Sequence, residues 1–155
     1  NLNALVKVAE EENVILLLGT VMGMDSPCNA STPIVLTVNE VAEIIEQIGN
    51  SYLAAYADTQ VLSIRGESLT DWFDRLGEKV RLVRFTDGNY NGYRIWGKGV
   101  LPAEKLAEEI YRTGFNGLIS FQIPGERYCE NPKDAQKQNH FRALSAWREV
   151  MDCQR

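Results

Sequence analysis

Gly77-Glu78-Lys79-Val80-Arg81-Leu82-Val83-Arg84-Phe85-Thr86-Asp87-Gly88 carries the reading of the whole chain. Just before it, Ser68 with Asp71 three residues on makes a capping box ahead of Leu69, Trp72, Phe73 and Leu76, so a helix is expected to run up to Gly77. Val80 to Thr86 then reads as a strand. The charge inside that run, Arg84, must face something polar, because burying an ion without a partner costs on the order of several kcal/mol.

The same strand-and-helix unit recurs on either side. Val14 to Leu18 is a continuous apolar run after Glu10-Glu11-Glu12 and Asn13, which predicts a strand buried on both faces. A loop with Pro27, Cys28 and Pro33 follows. Thr37 with Glu40 forms a second capping box before Val41, Ala42, Ile44, Ile45 and Ile48, and Gly49 closes that helix. Tyr52 to Ala57 reads as the next strand. Beyond Thr86, the polar stretch Asp87 to Leu101 is expected to be a working surface loop with no hairpin in it. Pro102 suits a first helical turn, Leu106, Ala107, Ile110 and Tyr111 make the apolar stripe, and Gly114 is the stop. Gly117 to Ile123 is the fourth strand, and Asn131-Pro132 with Asp134 starts a last helix through Phe141, Leu144 and Trp147. Leu2, Leu5, Val6 and Ala9 recur at helical spacing from the first residues, so the chain is expected to open inside a helix, with something missing upstream.

Four strand-then-helix units without hairpins require right-handed crossovers, so the expectation is an α/β domain spanning 1–155 with a mainly parallel sheet. A doubly wound sheet and half of a barrel both satisfy this, and in both the C-terminal ends of the strands carry function. Those ends hold Gly19, Asp58, Arg84 to Asp87, and Gln122. Half of a barrel would expose parallel edges and an apolar inner face, and so needs a partner.

The composition narrows the function classes. With 155 residues, 45% hydrophobic and 24% charged, the chain has the means for one globular core. Its 21 acidic against 16 basic residues give a net charge of −5, which argues against nucleic acid and anionic membrane as partners. The longest purely apolar run, Val14 to Leu18, is far below the roughly 20 residues of a membrane helix. Cys28, Cys129 and Cys153 are odd in number and widely spaced, so free thiols in a reducing compartment, the cytoplasm, are expected.

Two motif readings are set aside. Gly92 to Gly97-Lys98 has phosphate-loop spacing, but Gly99 replaces the metal-binding Ser or Thr and no helix follows directly. Tyr93, Arg94, Trp96 and Lys98 can instead stack on or hydrogen-bond a sugar, or form a solvated loop around an aromatic anchor. His140 is the only histidine, which excludes a zinc cluster of several histidines and leaves a Ser-His-Asp hydrolase a single candidate base in mid-helix.

Leu76 to Gly88, then Gly97-Lys98-Gly99 and Gly114-Phe115-Asn116-Gly117-Leu118-Ile119-Ser120, resemble the closing part of the xylose-isomerase-like TIM-barrel superfamily, nearest to its fructoselysine 3-epimerase-like branch. The resemblance implies that 1–155 is the C-terminal half of a barrel, strands five to eight. It also implies a sugar isomerase or epimerase site in which a Glu, an Asp, a His and a second Glu hold a divalent metal (Mn, Co or Zn), with the two Glu moving the proton beside the sugar carbonyl. Carried onto this sequence, those positions fall on Gly19 (or Leu18, one residue earlier in register), Asp58, Arg84 and Gln122, so one ligand of four survives.

The departure has a chemical reading. A guanidinium is permanently cationic and cannot ligate a metal, so Arg84 beside Asp58 takes over the electrostatic role of the ion. Gln122 can bond a sugar hydroxyl but is no base, and Gly19 offers no side chain. The leading expectation is a barrel that binds a small carbohydrate through Asp58, Arg84, Asp87, Arg94, Lys98 and Gln122, with no cofactor and no metal-dependent isomerisation. Two others stand beside it. One is an active metal-dependent isomerase or epimerase using Asp58 and a displaced carboxylate, Glu126. The other is a structural or regulatory half-barrel that binds another polypeptide. The partner expected in any case is the N-terminal half of the barrel or a second copy. Asp58 also has plainer uses, capping a turn or pairing with Arg65.

Overall fold

The computed structural model describes residues 1–20 and 37–153. The expected loop with Pro27, Cys28 and Pro33 lies outside the described residues. Helix α1 (Leu2–Glu11) leads through Asn13, at φ 54°, into β1 (Leu16–Leu18). Helix α2 (Val38–Ile48) precedes β2 (Leu53–Asp58), and helices α3 (Thr59–Arg65) and α4 (Leu69–Leu76) precede β3 (Val80–Arg84). Two short strands, β4 (Asp87–Asn89) and β5 (Gly92–Arg94), precede α5 (Ala103–Arg112), β6 (Leu118–Ser120) and α6 (Pro132–Asp152).

The capping signals hold. Thr37 and Glu40 satisfy each other's backbone at the start of α2, Ser68 and Asp71 do so at α4, and Asn131 accepts from the Asp134 amide ahead of Pro132 at α6. Gly49 ends α2 in the left-handed region that a residue with a Cβ enters at a cost. Helix α3 has no counterpart in the sequence reading: it is a short helix whose cap is Asp58 itself.

β1, β2, β3 and β6 form one parallel sheet in that order, as the half-barrel reading requires. The helices lie on one face. Ala55, Ala57, Val83 and Phe85 point into that layer and join Val41, Ile45, Leu62, Leu69, Trp72, Ala107 and Ile110 in the core. Trp72 is fully buried and donates its indole N–H to Glu67, whose other carboxylate oxygen takes the Val38 amide at the start of α2. Alternate residues, Tyr56 and Asp58, Leu82 and Arg84, Leu118 and Ser120, share the opposite face in matching register. None of the described helices covers that face, and Leu118 on it is 71% exposed.

Several expectations are corrected. The first strand begins only at Leu16, is half-buried and not covered on both faces, and is preceded by exposed Val14 and Ile15, because it is an edge strand with one bare face. The polar stretch does hold a hairpin: β4 and β5 pair antiparallel around Tyr90-Asn91, with Asn91-Gly92 supplying the turn chemistry and Gly92 at φ 101°. In α6 the buried positions are Ala135, Asn139, Ala143, Ala146 and Val150, while Phe141 is exposed and Trp147 only packs against the core from its margin. Small residues on its buried side let this helix pack closely against α5. Cys129 and Cys153 are free and exposed. No described helix is long and apolar enough to cross a membrane.

Candidate functional site at the strand ends

Asp58 and Arg84 end adjacent strands in direct register, so their side chains emerge together on the bare face. The ion pair closes at 3.7 Å from Arg84 Nη1 to Asp58 Oδ2, with the Asp58 side chain 1% and the Arg84 side chain 32% exposed. The guanidinium carbon lies 4.9 Å from the ring centre of Tyr56, two residues before Asp58 on the same face.

The carboxylate of Asp58 is densely used. Its Oδ1 accepts the amides of Gln60 at 3.0 Å and Val61 at 3.3 Å, which caps α3, and the Thr86 hydroxyl at 2.8 Å. Its Oδ2 accepts the hydroxyl of Tyr93, on β5, at 2.8 Å. The plain reading of Asp58 as a cap therefore holds, except that its cationic partner is Arg84 and not Arg65. Burial pushes the Asp58 carboxyl above its usual range, against the opposing pull of Thr86, Tyr93, the Val61 amide and Arg84. Burial, reinforced by the Asp58 charge, likewise pushes the Tyr93 phenol well up, so it stays a donor.

Asp87, expected on the ligand, is used elsewhere. It is 1% exposed, and its two oxygens accept the amides of Gly88, Leu101, Gly97 and Gly99 at 2.7, 3.1, 3.0 and 2.9 Å. It organises the loop because four amides converging on one buried carboxylate leave no room for a ligand. This also explains Gly99, where a Cβ would overlap Asp87 Oδ1. Trp96 is core: its indole donates to the Phe85 carbonyl at 3.2 Å, and its amide to buried Asn139 at 2.8 Å.

The remaining candidates stand apart from the Asp58 cluster. Arg94 is half-buried and donates to the Tyr93 carbonyl, while Lys98 is exposed in the loop. Gln122 lies past the end of β6 and Glu126 in the turn Gly125–Arg127; both are exposed, and neither bonds to the cluster. His140 is exposed and meets the ring of Phe121 edge-on. Gly19 is buried against Tyr56. The sequence reading missed Tyr56, named Thr86 only within the strand-end run Arg84 to Asp87, and gave Tyr93 to a ligand and not to Asp58; the alternation Tyr56-Ala57-Asp58 was the available signal for the first. Among the described residues no three His, Cys, Asp or Glu side chains gather as a metal site would need.

Comparison with known proteins agrees with this fold. Over 131 residues the chain is 26% identical to fructoselysine 3-epimerase of Escherichia coli O157:H7, covering 79% of this chain and 47% of that protein. The same figures hold for fructoselysine 3-epimerase of Shigella flexneri. Among solved structures, a D-tagatose 3-epimerase-like protein superposes with a TM-score of 0.75 at 18% identity, over 99% of this chain and 54% of that one. A 3-keto-D-glucoside 4-epimerase from E. coli superposes at 0.65 with 16% identity, over 90% and 51%. The chain thus spans about half the length of the relatives it matches, a length consistent with four of the eight units of a barrel. The family model for the xylose isomerase-like TIM barrel matches residues 1–147, and the chain belongs to that family.

Proposed function

We propose that this chain is the strand-five-to-eight half of a carbohydrate-binding barrel whose mouth works without metal-dependent isomerisation. The observation that carries this reading is Arg84 standing 3.7 Å from Asp58 where the family resemblance implies an imidazole ligand. A divalent metal does not fit the residues present. Position 19 has no side chain, Arg84 cannot coordinate, and the surviving Asp58 already accepts four hydrogen bonds. A sugar fits better, because the guanidinium is partly exposed and keeps donors for hydroxyl or carbonyl oxygens.

Two-base proton exchange lacks its groups in this half: Gln122 is not a base, and Gly19 has no side chain. The active-enzyme alternative draws on Asp58 and Glu126, and it is weakened by the saturation of the first and the exposure of the second in a separate turn. Elemental analysis of the purified natural protein tests the choice. No Mn, Co or Zn above a substoichiometric trace is expected, together with calorimetric binding of fructoselysine or D-tagatose. One equivalent of metal per chain would overturn it.

The bare sheet face and its free edges favour a complementary half over a second copy. Exposed Leu5, Val8, Val14 and Ile15 flank β1, and exposed Leu118, Phe121, Phe141 and Met151 flank β6. Helix α1 already lies at the β1 edge, with Val6 in the core, and α6 lies at the β6 edge, with Ala143 and Ala146 in it. Two copies would bring both helices to each seam, where a closed barrel has one. The partner that fits is a strand-helix alternation with four strands and three helices, in the same polypeptide or another. Native mass spectrometry showing a closed homodimer of the half alone would contradict this.

A further inference from the structure

The residues that resemblance marks as altered are Gly19, Arg84 and Gln122, but the structure brings a fourth into the same mouth. A Cβ placed on Gly19 would lie 2.5, 2.6 and 2.8 Å from three ring carbons of Tyr56, closer than real Cβ atoms come. The same ring lies under the Arg84 guanidinium, 4.9 Å from its centre, and Arg84 in turn stands beside Asp58. Swinging the ring away to admit a side chain at position 19 would remove the surface on which the guanidinium rests.

We propose that Tyr56 is the positioning residue that closes this mouth to a divalent cation: its ring fills the space a ligand side chain at position 19 would need and holds Arg84 against Asp58. The inference rests on the metal-free reading above and deepens it. Tyr56 and Arg84 form one unit, so exchanging the three altered residues for Glu, His and Glu does not by itself rebuild a metal site. The ring must also go.

The test uses the complete natural protein and free Mn²⁺, followed by the loss of its aqueous electron paramagnetic resonance signal. Four proteins are compared: the native one, Y56A, the triple variant G19E/R84H/Q122E, and the quadruple variant that adds Y56A. The quadruple variant is expected to bind at least tenfold more tightly than any of the other three. Equal binding by triple and quadruple, or no binding by a quadruple variant with native circular dichroism, would overturn the role of Tyr56 and leave the metal-free reading standing. Stoichiometric binding by the native protein would instead remove the reading beneath it. A metal-independent arm covers misfolding of the multiple variants. G19A should lower the melting temperature by about 3 °C or more in the native background and by nothing measurable in Y56A. Equal shifts in both backgrounds would show that the ring does not restrict position 19.

Discussion

The Tyr93 hydroxyl reaches 2.8 Å across from the β4–β5 hairpin to Asp58 Oδ2, tying the hairpin to the carboxylate at the end of β2. Through this bond the loop after β3 and the cap of α3 share one carboxylate. Tyr93 is held as a donor and Asp58 as its acceptor, so the bond is directional.

Tyr93→Phe removes that donor and leaves a buried carboxylate oxygen short of a partner. A loss of about 1.5–3 kcal/mol is expected for a hydrogen bond to a charged group. Because the Tyr93 bond opposes the burial effect, the Asp58 carboxyl should also move further up. Urea denaturation and carboxyl-carbon NMR titration check the two parts, and an unchanged titration would contradict the pairing.

Arg84→Met keeps the length of the side chain and removes the cation. Carbohydrate binding should fall at least tenfold, and stability by about 1–2 kcal/mol, since Asp58 loses its ion-pair partner among the described residues while Arg84 itself is partly solvated. Arg84→Lys should recover only part of the binding, because an ammonium lacks the planar fork and stacks less well on Tyr56. Isothermal calorimetry with D-tagatose measures this; full binding by the Met variant would refute a ligand role for Arg84.

Folding stability should carry a pH signature of Asp58. Its carboxyl binds a proton more tightly in the folded chain than at its ordinary value of 3.8, so the folded state takes up a proton. The favourable contribution is fully present below 3.8 and is lost as pH rises through the raised folded value. Asp58→Asn keeps an acceptor for the α3 amides and removes the titration. In the acidic window just above 3.8, the melting temperature of the native protein should therefore fall with rising pH relative to that of the Asn variant. Parallel profiles would show that burial does not dominate at this carboxyl.

Asp87→Ala should be the most damaging of these changes. Four amides, of Gly88, Gly97, Gly99 and Leu101, lose their acceptor in a buried setting, for a cost of about 3–5 kcal/mol. Hydrogen exchange at Gly97, Gly99 and Leu101 should accelerate while β2 stays protected. Exchange that rises evenly over the whole chain would mean that Asp87 supports the fold at large and not this loop.

Much of the architecture is legible along the chain. Thr37 with Glu40, Ser68 with Asp71, and Asn131-Pro132 mark helix starts because capping is settled within four residues. The hairpin was legible too, in Asn91-Gly92, but the polarity of its surroundings outweighed the dipeptide. Helix α3 was not, because its cap is the strand-end residue Asp58, which serves two elements at once.

Local patterning, the alternation of strands and the 3.6-residue rhythm of helices, was enough to establish four parallel strand-helix units and to bring Asp58 and Arg84 to one end of them. Whether Asp87 meets a ligand or a ring of amides, whether Asp58 is free or claimed by Thr86 and Tyr93, and why a Cβ at position 19 would meet the Tyr56 ring depended on folding in space. Each of those outcomes joins residues that are 10 to 37 positions apart, from Asp87 with Gly97 to Gly19 with Tyr56. Strand register and hairpin closure bring them together, and no short-range pattern encodes the distance between side chains on neighbouring strands.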